Sequence, residues 1–256
     1  MSIVLPEDLP IAEAGDPRSR TALILHGGGG PRTVAPIAAH LAGTHHVLAP
    51  THPGWDGTTR PADLDSVAAL ARGYLELLHR RGEADVVLVG SSIGGWIALE
   101  MALLAAADER FRDLIGAVID IDGVGVVVEG RPIADFFALD ARGLAEAAWH
   151  DPERGYLDPI GLTEHQRAVQ LGNGAAMAAI AGPAMSDPTL LDRLASLDVP
   201  TLVIWGESDG IVTPAYGRAV AQAITGAYFT EIAAAGHLPH LEAPDSTWAA
   251  IDPFLA

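Results

Sequence analysis

Short, continuous apolar runs alternate with segments whose apolar residues recur at helical spacing along most of the 256-residue chain. The segments 22–25, 46–49, 86–89, 114–121, 201–205 and 228–232 read as strands, and the unbroken apolar run 86–89 reads as one buried on both faces. Helical spacing covers 33–41, 63–81, 93–107, 214–224 and 245–255. This rhythm predicts an α/β protein with a mostly parallel, doubly wound sheet. Residues 3–11 are assigned to an antiparallel edge strand. The rhythm breaks between Gly123 and Leu197, where no strand-like run follows 124–128. Helical pieces punctuated by Pro and Gly take over at 140–150, 163–181 and 188–197, and Thr163 with Gln166 makes a capping-box start for the longest. The pattern therefore predicts a core built from 1–129 and 198–256, with a small helical cap, 130–197, inserted after the sixth strand. Such an insertion would lie over the carboxyl ends of the strands, where open α/β sheets bind ligands.

Composition removes whole classes of chemistry. The chain has no cysteine, which excludes disulfides, thiol catalysis and thiolate-bound metal. All 15 basic residues are Arg, so Schiff-base chemistry and a lysine-bearing phosphate loop are excluded. A net charge of −18 argues against nucleic acid and anionic membrane surfaces as partners. No charged leader precedes an apolar stretch, and no run of about 18 apolar residues occurs. A cytoplasmic protein acting on a small molecule, with no cofactor and no metal, is expected. A homodimer is left open.

The stretch 85–95, Asp-Val-Val-Leu-Val-Gly-Ser-Ser-Ile-Gly-Gly, carries the most specific signal. An apolar strand ends at Gly-x-Ser-x-Gly and a helical pattern begins at Ile93, which is the setting of a nucleophile elbow. The sharp turn demands small residues two positions either side of its centre. Ser92 has Gly90 and Gly94 there, whereas Ser91 would have Val89 and Ile93. A second cluster, Leu25-His26-Gly27-Gly28-Gly29-Gly30-Pro31, also follows a strand. It could hold phosphate, present N–H groups to an oxyanion, or make a tight turn. Phosphate is disfavoured, because neither the Gly-x-Gly-x-x-Gly spacing nor a Walker lysine is present. Paired with an elbow serine, the loop reads as an oxyanion site in which Ile93 and Gly28, with Gly29 as the second choice, supply backbone N–H donors. A serine also needs a base and an orienting acid. Asp209 and His237 each follow a late strand, in the order Ser, Asp, His.

These motifs resemble the α/β-hydrolase superfamily, in its cap-bearing esterase, dehalogenase and C–C hydrolase branch. The resemblance rests on His26-Gly-Gly-Gly, the loop His52-Pro-Gly-Trp-Asp-Gly-Thr-Thr-Arg-Pro61 and Gly90-x-Ser92-x-Gly94-Gly95. It continues through Trp205-Gly-x-x-Asp209 and Gly236-His237-x-Pro239-x-x-Glu242-x-Pro244. It implies Ser92 as nucleophile, His237 as base and Asp209 as orienting acid, in preference to His240 and Asp122. The relatives with an Asp nucleophile, dehalogenases and epoxide hydrolases, are disfavoured by Ser92, and the iminopeptidases by Ile93 in place of Trp. The expected activity is cleavage of a small, largely apolar carboxylic ester or lactone through an acyl-enzyme. Phe136, Trp149, Tyr156 and Met177 are the candidate substrate-binding residues. The alternative is a C–C bond hydrolase of the ring-cleavage type, which would need Arg142, Arg154 or Arg167 to grip a carboxylate. A non-catalytic ligand-binding protein is the third reading.

Overall fold

A computed structural model describes residues 5–256 of the chain. After an exposed edge strand β1 (Ile11–Ala14) come β2 (Thr21–Leu25), helix α1 (Ala35–Leu41), β3 (His46–Pro50), α2 (Val67–Arg81) and β4 (Val86–Ser91). Helix α3 (Ile93–Ala107), β5 (Ile115–Ile121) and a two-residue strand β6 (Gly125–Val126) follow. Next are α4 (Ala141–Ala148), α5 (Pro152–Gly155) and α6 (Glu164–Ala181). The chain then runs through β7 (Ser186–Asp187), α7 (Leu190–Arg193), β8 (Thr201–Gly206), α8 (Pro214–Ala223), β9 (Tyr228–Ile232), α9 (Pro239–Glu242) and α10 (Pro244–Leu255).

The main sheet has the order β1-β3-β2-β4-β5-β8-β9, and every pair in it is parallel except β1 with β3. Its inner strands are buried on both faces, and alternate residues feed two cores. Leu23, Leu25, Leu48, Leu88, Val118, Val203 and Trp205 face the α2, α3 and α8 side. Ala22, Ile24, Val47, Val89, Ile119, Ile121, Leu202 and Ile204 face α1 and α10. Helix α3 is buried almost all round because it lies between the sheet and α2. Among the described residues, no helix is long and apolar enough to cross a membrane.

Local sequence sets the helix ends. Ser66 caps α2 by accepting from Ala69 N–H, and Gly82, at φ 73°, ends it in the left-handed conformation. This start is later than the expected 63, because Ser66 leaves residues 63–65 outside the helix. The expected capping box forms at α6, with Thr163 and Gln166 bonding reciprocally.

Two expectations change. The edge strand is Ile11–Ala14 and not 3–11; residues 1–4 lie outside the described residues. The segment 130–197 is also of two kinds. Strand β7 pairs with β6, Leu190, Leu194 and Leu197 are buried in the main core, and Arg193 forms an ion pair with buried Glu100 at 2.8 Å. The part made of helices above the sheet therefore ends before β7.

Candidate active site

Strand order reverses between β2 and β4, so the loops after these neighbouring strands diverge and leave a crevice. Ser92 stands at the end of β4 with φ 58° and ψ −122°, a strained conformation for a residue other than glycine. A Cβ at Gly90 would collide with the Gly94 carbonyl, and one at Gly94 with the Leu25 carbonyl, so the turn admits only glycine at both places. Gly95 brings α3 onto Asp120 and Gly123 in the same way. Ser91 is fully buried, whereas the turn leaves Ser92 partly open and facing Gly27.

The registers Leu25↔Gly90, Ser91↔Ile121, Ile121↔Ile204 and Gly206↔Ile232 bring the strand ends level. Asp209 and His237 follow β8 and β9 on that edge, and His237 Nδ1 donates to Asp209 Oδ2 at 2.8 Å. The other Asp209 oxygen accepts from the N–H groups of Ile211 (2.8 Å) and Val212 (3.1 Å). These bonds fix the carboxylate and leave His237 Nε2 as the free ring nitrogen. Ser92 Oγ and His237 are not hydrogen-bonded to each other in this structure, a link that is commonly loose without substrate.

The glycine loop is held by two buried, neutral histidines. His26 Nε2 accepts the His52 N–H at 2.9 Å, so its Nδ1–H donates to the Gly27 carbonyl at 2.7 Å. His52 Nε2–H returns to the His26 carbonyl at 3.0 Å, and its Nδ1 accepts from the Tyr74 hydroxyl at 2.6 Å. Burial pushes His26 down to about 4 and His52 well below the usual histidine range. Trp55 Nε1–H binds the Gly28 carbonyl at 3.0 Å and orients that peptide. His240 donates to the Thr33 carbonyl at 2.9 Å and is likewise buried, which commits it to the loop rather than to the crevice.

The residues of the 130–197 segment divide. Met177 is buried, and a Cβ placed on Gly28 would meet its Sδ at 2.7 Å, so it lies directly on the glycine loop. One helical turn earlier, Asn173 exchanges two hydrogen bonds with Asp56 (2.8 and 3.2 Å), tying α6 to the loop after β3. Trp149 is half-buried, with its backbone beside Gly236 and its ring on Gly155. Phe136 packs on the core and meets Phe137 edge-on, while Tyr156 lies under Arg142. The structure thus brings Met177 and Trp149 next to the crevice loops and gives Phe136 and Tyr156 other neighbours.

One link was not legible in the sequence. The carbonyls of Ala147 and Ala148, at the end of α4, accept the N–H groups of Gly210 (2.8 Å) and His237 (2.7 Å). Glu242 accepts from the N–H groups of Gly236, His150 and Asp151. Asp122, weighed from the sequence as a rival acid, directly follows β5 and is fully buried beside Asp209 and His237.

A parallel sheet ending level at a strained serine, with an imidazole–carboxylate pair across two further strand ends, defines an α/β hydrolase arrangement. The sequence matches the alpha/beta hydrolase family over residues 22–250, and the chain belongs to that family. It is 26% identical to Lipase 1 of Psychrobacter immobilis over 96% of its own length and 80% of that protein's. Its fold is similar to that of a thermophilic esterase from Thermogutta terrifontis (TM-score 0.76, 22% identity, covering 99% and 96% of the two chains). It is also similar to that of a meta-cleavage product hydrolase from Pseudomonas fluorescens (TM-score 0.73, 16% identity, 96% and 93%).

Proposed function

We propose that the protein is a serine hydrolase that cleaves small, largely apolar carboxylic esters or lactones. The observation that carries this reading is the Asp209–His237 hydrogen bond at the same sheet edge as Ser92 on its glycine-flanked turn. Ser92 Oγ attacks the carbonyl carbon as its proton passes to His237 Nε2. The N–H groups of Gly28 and Ile93 hold the oxyanion, the second favoured by the start of α3. The leaving alkoxide takes the proton from His237. Water, deprotonated by the same nitrogen, then cleaves the acyl-enzyme and restores Ser92.

In this reading the helical segment from 130 to about 185 is a cap, and Met177 and Trp149 shape the site for the acyl group. The similarity to an esterase and a lipase supports an ester substrate. The arginines that a C–C hydrolase would use are committed elsewhere. Arg142 pairs with Glu146 (3.0 Å) and Glu153 (2.7 Å), Arg154 donates to the Leu241 and Glu242 carbonyls, and Arg167 donates to Leu162. Of the three, Arg142 is neutralised by two carboxylates, while Arg154 and Arg167 spend donors on backbone carbonyls.

Purified protein assayed on p-nitrophenyl esters of increasing acyl length and, in parallel, on a vinylogous diketone tests the reading. Turnover of esters, fastest for short acyl groups, is expected. Turnover of the diketone alone would replace the ester reading with the C–C one, and turnover of neither would refute both.

A further inference from the structure

We propose that Asp122 is a positioning residue that keeps its own proton and donates it to the Asp209 carboxylate, making the acid of the site a carboxylic acid–carboxylate pair. The inference deepens the serine-hydrolase reading and rests on it for its kinetic consequence. One oxygen of each carboxyl group and a ring nitrogen of His237 lie within 4.8 Å of one another, and all three residues are buried. Asp122 Oδ1 accepts the Gly206 N–H at 2.9 Å, but Oδ2 is buried with no donor to accept from. Asp209 already accepts two backbone N–H groups and the His237 Nδ1–H. The polar neighbour facing Asp122 is thus another acceptor, and two facing acceptors in a dry site are reconciled by a proton between them.

The charges around Asp122 point the same way. Asp209 comes from the loop after β8, His237 from the loop after β9, and Asp120 from β5 itself. Among the described residues no arginine faces Asp122, and burial, then the Asp209 charge, hold it well above the usual carboxylate range. Asp209 carries the charge of the pair because three N–H groups point at it, against one for Asp122. Asp120 is a separate buried acid, raised by burial to about 7. The donated hydrogen bond would hold the Asp209 oxygens in the plane that His237 needs and temper the charge the imidazole feels.

The test joins a spectroscopic readout to a kinetic one. Infrared spectra at pH 9, well above the value near 7 to which burial raises Asp120, should contain a protonated carboxylic acid band that vanishes in Asp122→Asn and persists in Asp120→Asn. This readout does not depend on turnover, so it stands or falls apart from the assignment of activity. On whichever ester is turned over, Asp122→Asn keeps a donor and should retain kcat/KM and the acidic limb of its pH profile. Asp122→Gly suits the left-handed backbone there (φ 48°) and removes the donor. It should lose roughly ten- to a hundredfold in kcat with little change in KM, and its acidic limb should move to higher pH. A band absent from the wild type, or an acidic limb moved to lower pH by Asp122→Asn, would mean that Asp122 is ionised and overturn the inference. An unchanged pH profile in Asp122→Gly would reduce it to packing.

Discussion

The carbonyl of Ala148 accepts the backbone N–H of His237 at 2.7 Å, so the last residue of helix α4 holds the histidine loop directly. The preceding carbonyl, Ala147, does the same for Gly210, next to Asp209. A segment expected to lie over the site is therefore built into the two loops that carry the imidazole–carboxylate pair. Glu242 extends the link by gathering the N–H groups of Gly236, His150 and Asp151 on one carboxylate.

Glu242→Ala should accordingly weaken both fold and activity. Three backbone donors lose their acceptor, one of them partly buried, which costs about 1–2 kcal/mol. Thermal unfolding should shift down by roughly 3–6 °C. Because Gly236 precedes His237, kcat should fall more than KM rises. An unchanged melting temperature would show that the three bonds contribute nothing.

Met177 and Gly28 offer a paired test. Gly28→Ala places a methyl 2.7 Å from Met177 Sδ and 3.3 Å from Met177 Cε, so activity should drop through a clash with the flexible end of that one side chain. Met177→Ala should restore much of it in the double variant. By itself Met177→Ala should shift preference toward longer acyl chains, by about 1–3 kcal/mol between competing substrates. It should also cost about 2–5 kcal/mol of stability for the lost buried side chain. Additive losses in the double variant would mean that the two residues do not meet in solution.

His240 links stability to pH. Burial lowers its folded pKa to about 4 from 6.5, so the unfolded chain binds the proton first as pH falls. The stability it allows is fully present above about pH 6.5 and is lost as pH falls toward 4. Between these values the wild type should lose up to about 1.4 kcal/mol per pH unit more than His240→Gln, which can keep the bond to Thr33 without titrating. Parallel urea-unfolding curves for the two proteins across this window would contradict the assignment.

What the sequence revealed and what it hid follow one physical division. The strands at 86–89 and 201–205 were legible because burial on both faces leaves unbroken apolar runs, and the Ser92 turn because only glycine fits two residues either side. Strand β1, with only Ile11 partly buried, carries no such run and was misplaced. Strand β7 is Ser-Asp, two polar residues held by pairing with β6, and nothing local marks it. The core role of 190–197 was hidden because leucines at helical spacing look the same on a cap as on a core. The sequence also could not show the bonds from Ala147 and Ala148, since backbone carbonyls carry no residue signature. Asp122 was visible as a strand-end carboxyl, but its contact with Asp209 depends on the spacing of β5 and β8.

Identification of the nucleophile tests the central claim most directly. Protein treated with a fluorophosphonate probe, digested and sequenced by mass spectrometry should carry one adduct, on Ser92. Labelling should persist in Ser91→Ala and vanish in Ser92→Ala, with the latter still folded by circular dichroism and ester hydrolysis lost by at least a thousandfold. An adduct on any other residue, or ester turnover in Ser92→Ala within tenfold of the wild type, would contradict it.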